Sequence, residues 1–277
     1  MAKIPGNRPT ATSPYPEGGP GRHLKARLST GEILVGGIVS EYARPSLMKL
    51  YRSAGFDFVY FEYEHGFFDM PALADAVLTG RDSGLPAIAK TPQLERAAVA
   101  KLLECGIVGI QLPRTESREQ VETLLSYMKF PPAGTRAVAP GYGNSDYLPA
   151  AEYPSWMAAQ DAETALVVHI ETRLGYERAE EIVGTPGVDM VYVGPGDFSI
   201  EMGRPGDADH PDVAGPMAEI LKLCQKYQVS FGTTASGAEA AGRWIAAGAQ
   251  FFEAVDERDL IYQGARRLVE QYREFSD

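Results

Sequence analysis

The sequence predicts an α/β chain folded as a (β/α)8 TIM barrel, and three observations predict it. Short runs rich in Val, Ile, Phe and Tyr alternate with longer segments of helical periodicity, eight of each. The short runs are almost continuously apolar, as strands of a parallel sheet covered on both faces must be. The first run lacks the spaced glycines that open a dinucleotide-binding fold, and eight units within 277 residues suit a closed barrel better than a doubly wound sheet.

Residues 1–22 hold five prolines and four glycines, and read as an extended arm ahead of a single barrel domain over 23–277. Strands are expected at 33–39, 57–63, 86–90, 107–112, 164–170, 188–194, 229–233 and 250–255. Helices are expected at 44–54, 70–83, 93–104, 117–128, 173–184, 212–227, 237–247 and 257–275. Local chemistry supports these bounds. Asp69 before Met70-Pro71 is an N-cap signal, Ser117 with Gln120 makes a capping box, and Gly55, Gly84, Gly106 and Gly248 close helices. His210 before Pro211 reads as a cap residue. Residues 131–163 are an unusually long insert with a helical piece near 149–160, and loops of that length tend to carry function.

Lys and Arg number 26 against 37 Asp and Glu, a net charge of −11 that argues against nucleic acid as a partner. No apolar run is long enough to cross a membrane, and no signal pattern opens the chain. Cys105 and Cys224 match no redox or ligand spacing, which fits a reduced, cytoplasmic setting.

In such a barrel the active site lies at the C-terminal ends of the strands. The polar residues there are Glu62, Glu64 and His65 on the second strand, Lys90 on the third, and Gln111 and Arg114 on the fourth. His169 and Glu171 end the fifth, Gly194-Pro195-Gly196-Asp197 the sixth, Thr233 and Thr234 the seventh, and Glu253 and Asp256 the eighth. Glu171 and Asp197 end adjacent strands, a pair that suits a hard divalent cation such as Mg²⁺. Solvated loop acids are the plainer alternative.

Four segments in order carry a resemblance. They are Glu64-His65, Phe130-Pro131-Pro132-Ala133-Gly134-Thr135-Arg136, His169-Ile170-Glu171-Thr172, and Val193-Gly194-Pro195-Gly196-Asp197-Phe198-Ser199 with Met202-Gly203. From about residue 24 onward the chain resembles the HpcH/HpaI aldolase family, whose members include 2,4-dihydroxyhept-2-ene-1,7-dioate aldolase, 2-dehydro-3-deoxyglucarate aldolase and macrophomate synthase. The resemblance implies a barrel of the phosphoenolpyruvate/pyruvate type, with its last helix exchanged within a homotrimer or homohexamer. It implies a divalent metal on Glu171 and Asp197 that chelates a 2-oxo acid and stabilises its enolate. It implies that backbone N–H groups at Gly196 and Asp197 hold the substrate carboxylate, and that His65 with the acid at position 62 moves protons.

Three positions depart from the family pattern. Glu62 stands for Asp, Lys90 for Arg, and His169 for Gln. Lys90 is a point charge where Arg is a planar fork; it is expected to stabilise the enolate, with a Schiff-base role as the sharper alternative. His169 is expected to bind substrate by hydrogen bonding; as a third ligand it would shift the preference toward Mn²⁺ or Co²⁺. Arg136 is a candidate for the substrate's distal carboxylate. The expectation is a metal-dependent carbon–carbon lyase acting on a 2-oxo acid and an aldehyde. The alternatives are a decarboxylase of oxaloacetate with enolate capture and a non-catalytic 2-oxo-acid-binding descendant.

Overall fold

The computed structural model describes residues 14, 15 and 18–275. The strands are β1 (Leu34–Val39), β2 (Phe58–Phe61), β3 (Ala87–Lys90), β4 (Gly109–Leu112), β5 (Ala165–Ile170), β6 (Met190–Val193), β7 (Ser230–Thr233) and β8 (Phe251–Asp256), closed in that order into one parallel barrel. Each expected strand is present; seven are trimmed by one to three residues, and the eighth is shifted by one, from 250–255 to Phe251–Asp256.

Two-residue alternation divides each strand between two cores. Val59, Phe61, Ala89, Ile110, Val168 and Val191 face outward into the layer beneath the helices. Phe58, Tyr60, Ile88, Val167, Met190, Tyr192 and Phe251 face the barrel axis. Glycine makes room inside: a Cβ on Gly36 would sit 2.3 Å from the Phe58 ring, and one on Gly232 2.5 Å from the Phe251 ring. The axis is therefore packed with aromatic side chains low down, and only its upper end is free for chemistry.

α1 (Pro20–Ser29) plugs the lower end. Leu24 and Leu28, one turn apart, join Leu34, Phe58 and Phe251 in the inner cluster. This corrects the expected arm over 1–22: Pro20, Gly21 and Arg22 are the first turn of a helix, since Pro is well suited to a helix's first position. The rest of that arm lies mostly outside the described residues. α1 is clamped to α6 (Tyr153–Glu163), the helix of the long insert. Gly21 N and Arg22 N donate to Glu163 Oε2 at 2.8 and 3.3 Å, and Arg22 Nε to Oε1 at 2.6 Å. A Cβ on Gly21 would stand 1.7 Å from the Glu163 carbonyl oxygen, so only glycine fits.

The outer helices are α2 (Pro45–Ala54), α3 (Met70–Asp82), α4 (Arg96–Glu104), α5 (Arg118–Met128), α7 (Arg173–Glu177), α8 (Ala179–Val183), α10 (Pro211–Tyr227), α11 (Ala238–Ala247) and α12 (Glu257–Arg273), with a short α9 (Pro195–Glu201) after β6. The helix expected at 173–184 is broken at Arg178, and α6 starts four residues later than expected. Asp69 caps α3, Ser117 and Gln120 close the capping box of α5, and His210 Nδ1 caps α10. α9 escapes the sequence pattern because seven residues are too few to show a period. α12 stands off the barrel: Glu257 is its only buried residue, and Leu260, Ile261, Leu268 and Val269 are 43–58% exposed. Among the described residues no helix is long and apolar enough to cross a membrane.

β8 contains a bulge. Gly36 pairs with Glu253, but Gly37 pairs with Val255, leaving Ala254 extra. Phe251 and Glu253 face the axis two residues apart, and Asp256 reaches the barrel mouth three residues after Glu253. One bulge thus brings two carboxylates of the same strand to one cavity.

Candidate active site

The mouth of the barrel holds a cavity of about 410 Å³. Glu62, His65, Lys90, His169, Glu171, Gly196 and Asp197 all line it, seven of the eight residues expected at the site. Tyr60, Tyr192, Thr234, Glu253, Asp256, Arg258, Ser40 and Phe67 also line it.

Lys90 is the electrostatic centre. Its Nζ lies 2.7 Å from Glu64 Oε2 and 3.5 Å from Glu62 Oε2, and its side chain is nearly buried. Burial pulls its pKa down, but Glu62, Glu64 and Glu171 outweigh that and leave it above the ordinary lysine value. The ammonium is therefore charged, which suits a stabiliser of developing negative charge and opposes a Schiff-base nucleophile. Glu64 also lies 3.5 Å from His65 Nε2, and His65 is largely exposed. Among the described residues, Glu62, Glu64 and His65 form a group whose ligand atoms fall within 4.8 Å of one another. Lys90 already supplies a positive charge to that group.

Glu171 ends β5 almost fully buried. Its Oε1 accepts from Arg114 N at 2.8 Å. Burial raises its pKa, with Asp197 and Glu64 adding to the rise and Lys90 opposing it. Two carboxylates that repel across a cavity are what a hard cation relieves. Asp197 stands exposed in the first turn of α9, beside open space over Gly196. His169 Nε2 lies 3.1 Å from Glu171 Oε2 but is not aligned for a hydrogen bond. Burial, with the Lys90 charge, holds its imidazole well below the usual pKa, so it is neutral. Gly194 admits that ring, since a Cβ there would come within 2.4 Å of Nε2.

A polar layer underlies these groups. The Tyr60 hydroxyl donates to Glu62 Oε2 at 3.1 Å, Gln111 Nε2 donates to Tyr60 at 3.4 Å, and Gln111 Nε2 meets His169 Nδ1 at 3.3 Å. Thr234 Oγ1 donates to the Glu253 carbonyl at 2.8 Å, so in its 2.6 Å contact with Tyr192 it is the tyrosine that donates. At the rim, Ser40 Oγ donates to Asp256, and Arg258 binds Asp256 through two bonds of 2.9 Å. Glu257 accepts from the backbone N–H groups of Ser40, Glu41 and Tyr42, three successive donors at the end of β1.

Arg136 is the residue the structure does not bring to the cavity. It is buried near Gly106–Val108 and Thr164, which precede β4 and β5, at the opposite end of the barrel. α5 carries the chain away from the mouth, and Arg136 N then donates to Lys129 O at 2.9 Å. Its guanidinium stacks 4.7 Å from the Phe130 ring, and burial lowers its pKa to about 10. Arg114 reaches the site through its backbone; its guanidinium turns to Glu201. Sequence reasoning missed Tyr60 and Tyr192; Tyr60 sits two residues before Glu62, a signal that alternation supplies, whereas Tyr192 sits two before Gly194 and carries no such mark. It noted Glu253 and Asp256 without a role, because a bulge is invisible in a single sequence. Ser40 and Arg258 enter only through the closure of β8 on β1.

Comparison with known proteins identifies the family of the chain. The model of the HpcH/HpaI aldolase/citrate lyase family matches residues 37–261. The hydroxypyruvate/pyruvate aldolase of Roseovarius nubinhibens is 27% identical over 92% of this chain and 98% of its own length. The 5-keto-4-deoxy-D-glucarate aldolase of Salmonella arizonae is 24% identical over 90% of this chain and 96% of its own. The crystal structure of an HpcH/HpaI aldolase from Desulfitobacterium hafniense superposes with a TM-score of 0.86 at 26% identity, covering 91% of this chain and 96% of that one.

Proposed function

Because the chain belongs to the HpcH/HpaI aldolase/citrate lyase family, we propose that it is a divalent-metal-dependent aldolase that makes or breaks a carbon–carbon bond beside a 2-oxo acid, through a pyruvate-type enolate. The observation that carries this reading is the convergence of Glu171, Asp197 and a charged, buried Lys90 on one cavity.

The donor set fits a cation. Glu171 and Asp197 offer hard oxygen ligands whose mutual repulsion a positive ion relieves, and the neutral, unpartnered Nε2 of His169 stands beside them. Mg²⁺ suits the two carboxylates, and Mn²⁺ or Co²⁺ suits the set with the imidazole. When bound, such an ion supplies Lewis acidity to the keto oxygen of the substrate. The residues of the chain do the rest. Gly196 and Asp197 present backbone N–H groups to the substrate carboxylate. Lys90 opposes the negative charge that gathers on the keto oxygen as the bond to the aldehyde carbon breaks. The electron pair of that bond becomes the enolate, the aldehyde departs, and His65 with Glu62 carries protons to and from the reacting atoms.

The test needs no knowledge of the aldehyde. Metal-stripped protein is incubated with pyruvate in D₂O, and the methyl protons are followed by NMR. Exchange that requires added metal, and that Glu171→Gln or Asp197→Asn abolishes while the circular dichroism spectrum is unchanged, is expected. Exchange that persists in both variants refutes the reading.

The same proposal includes assembly. The exposed apolar residues of α12, and an α11 with only Ala240 buried, support a homo-oligomer, trimer or hexamer, in which α12 is exchanged between copies. The unpaired Cys105 and Cys224 suit a cytoplasmic setting.

A further inference from the structure

We propose that Glu253, together with Glu62, forms a hydroxyl-binding floor to the cavity, so that the enzyme selects substrates with a free alcohol on the part that reaches the floor over their deoxy counterparts. This rests on the aldolase reading above and names its substrate class.

The first support is an imbalance of hydrogen bonding. Among the described residues, five buried side-chain atoms lack a partner; His169 Nε2 faces Glu171, and three others, Glu62 Oε1, Gln111 Oε1 and Glu253 Oε1, belong to neighbouring residues at the base of the cavity. Buried polar atoms are nearly always satisfied, so such a concentration marks where a ligand's polar groups belong. Glu253 is 2% exposed and lines the cavity; Gln111 and Tyr192 flank its carboxyl, and its Oε1 is left without a partner.

The second support is charge. Glu62 and Glu253 are both acids, and the cation at that depth, Lys90, is engaged with Glu62 and Glu64. A carboxylate or phosphate reaching the floor would meet repulsion from Glu62 and would find no free cation there. A methyl or methylene would leave Glu62 Oε1 and Glu253 Oε1 unpaired. A hydroxyl does neither, because it donates and accepts at once. Glu253 matches it: burial, with the Glu62 charge adding, keeps its carboxyl neutral, and a neutral carboxyl also donates and accepts. The bulge at Ala254 is what the chain adds to obtain this, since it sets Glu253 inward without losing Asp256 from the rim.

The alcohol can belong to either reactant: C3 of the 2-oxo acid or the α-carbon of the aldehyde. The experiment separates them. Aldol addition is measured as kcat/KM with pyruvate against hydroxypyruvate, and with acetaldehyde against glycolaldehyde, in the metal-loaded wild type, E253L and E253Q. Pyruvate methyl exchange serves as the control. The hydroxylated member of at least one pair is expected to be favoured about tenfold or more in the wild type, the size of one hydrogen bond to a buried polar group. E253L is expected to bring that ratio toward unity. E253Q, whose amide also donates and accepts, is expected to keep most of it. The pair that responds identifies the half that carries the alcohol. Ratios near unity for both pairs in the wild type overturn the proposal, whether or not E253L folds. So does a ratio that E253L leaves unchanged. Methyl exchange with flat ratios sinks the floor alone, whereas absence of both exchange and addition sinks the aldolase reading with it.

Discussion

Lys90 shows how far a single position can be read. Its place at the end of the third strand was legible, because a lone lysine closing an apolar run must point either to the mouth or to solvent. Its charge state was not, since that depends on Glu62, Glu64 and Glu171 arriving from two other strands. Removing the ammonium by Lys90→Met is expected to lower the rate of pyruvate methyl exchange about a hundred- to a thousandfold, with Lys90→Arg restoring part of it. Glu253 gives a prediction in pH. Its folded pKa lies well above the ordinary 4.5, so the folded state holds a proton that the unfolded state releases. The stability this contributes is complete below about pH 4.5 and is lost as pH rises toward the raised value. Glu253→Gln abolishes that loss. The melting temperature of the variant, relative to wild type, is expected to climb as pH rises above about 4.5; a difference that stays constant with pH would refute the assignment. Arg136 marks the opposite limit. Its motif was readable, but α5 decides at which end of the barrel it lies.

At the scale of elements, the strands were the most legible part, because burial on both faces leaves a nearly unbroken apolar run. Helix ends marked by Asp69, Ser117 and His210 were equally readable, since each side chain caps the backbone beside it. Two elements resisted. α1 begins among prolines and glycines that mimic a linker, and its purpose appears only when Leu24 and Leu28 meet the barrel's lower aromatic layer. The bulge in β8 breaks the alternation from which strands are recognised. The clamp between α1 and α6 can be tested directly. Gly21→Ala places a carbon against the Glu163 carbonyl, a contact that α1 relieves only by lifting. A loss of about 3 kcal/mol in urea unfolding is expected. Wild-type stability in this variant would mean that α1 is not seated as described.

For the molecule as a whole, α12 is the element whose surroundings within one chain are incomplete. Seventeen residues that bury only Glu257 do not stabilise themselves on this barrel. If α12 is exchanged as proposed, truncation after residue 256 is expected to leave only monomers by light scattering where the full chain gives a trimer or hexamer. A truncated chain of unchanged mass per particle would show that the interface lies elsewhere.

Asp256, Glu257 and Arg258 are consecutive, yet they answer to different masters. The outer two shape the rim of the cavity, while Glu257 fastens the root of α12 to three amides at the end of β1. In the proposed exchange of α12, the helix that meets a neighbouring copy is rooted one residue from the rim on either side. Activity per barrel is then expected to decline on dilution before any single barrel unfolds, a fall that circular dichroism and assay over one dilution series would separate.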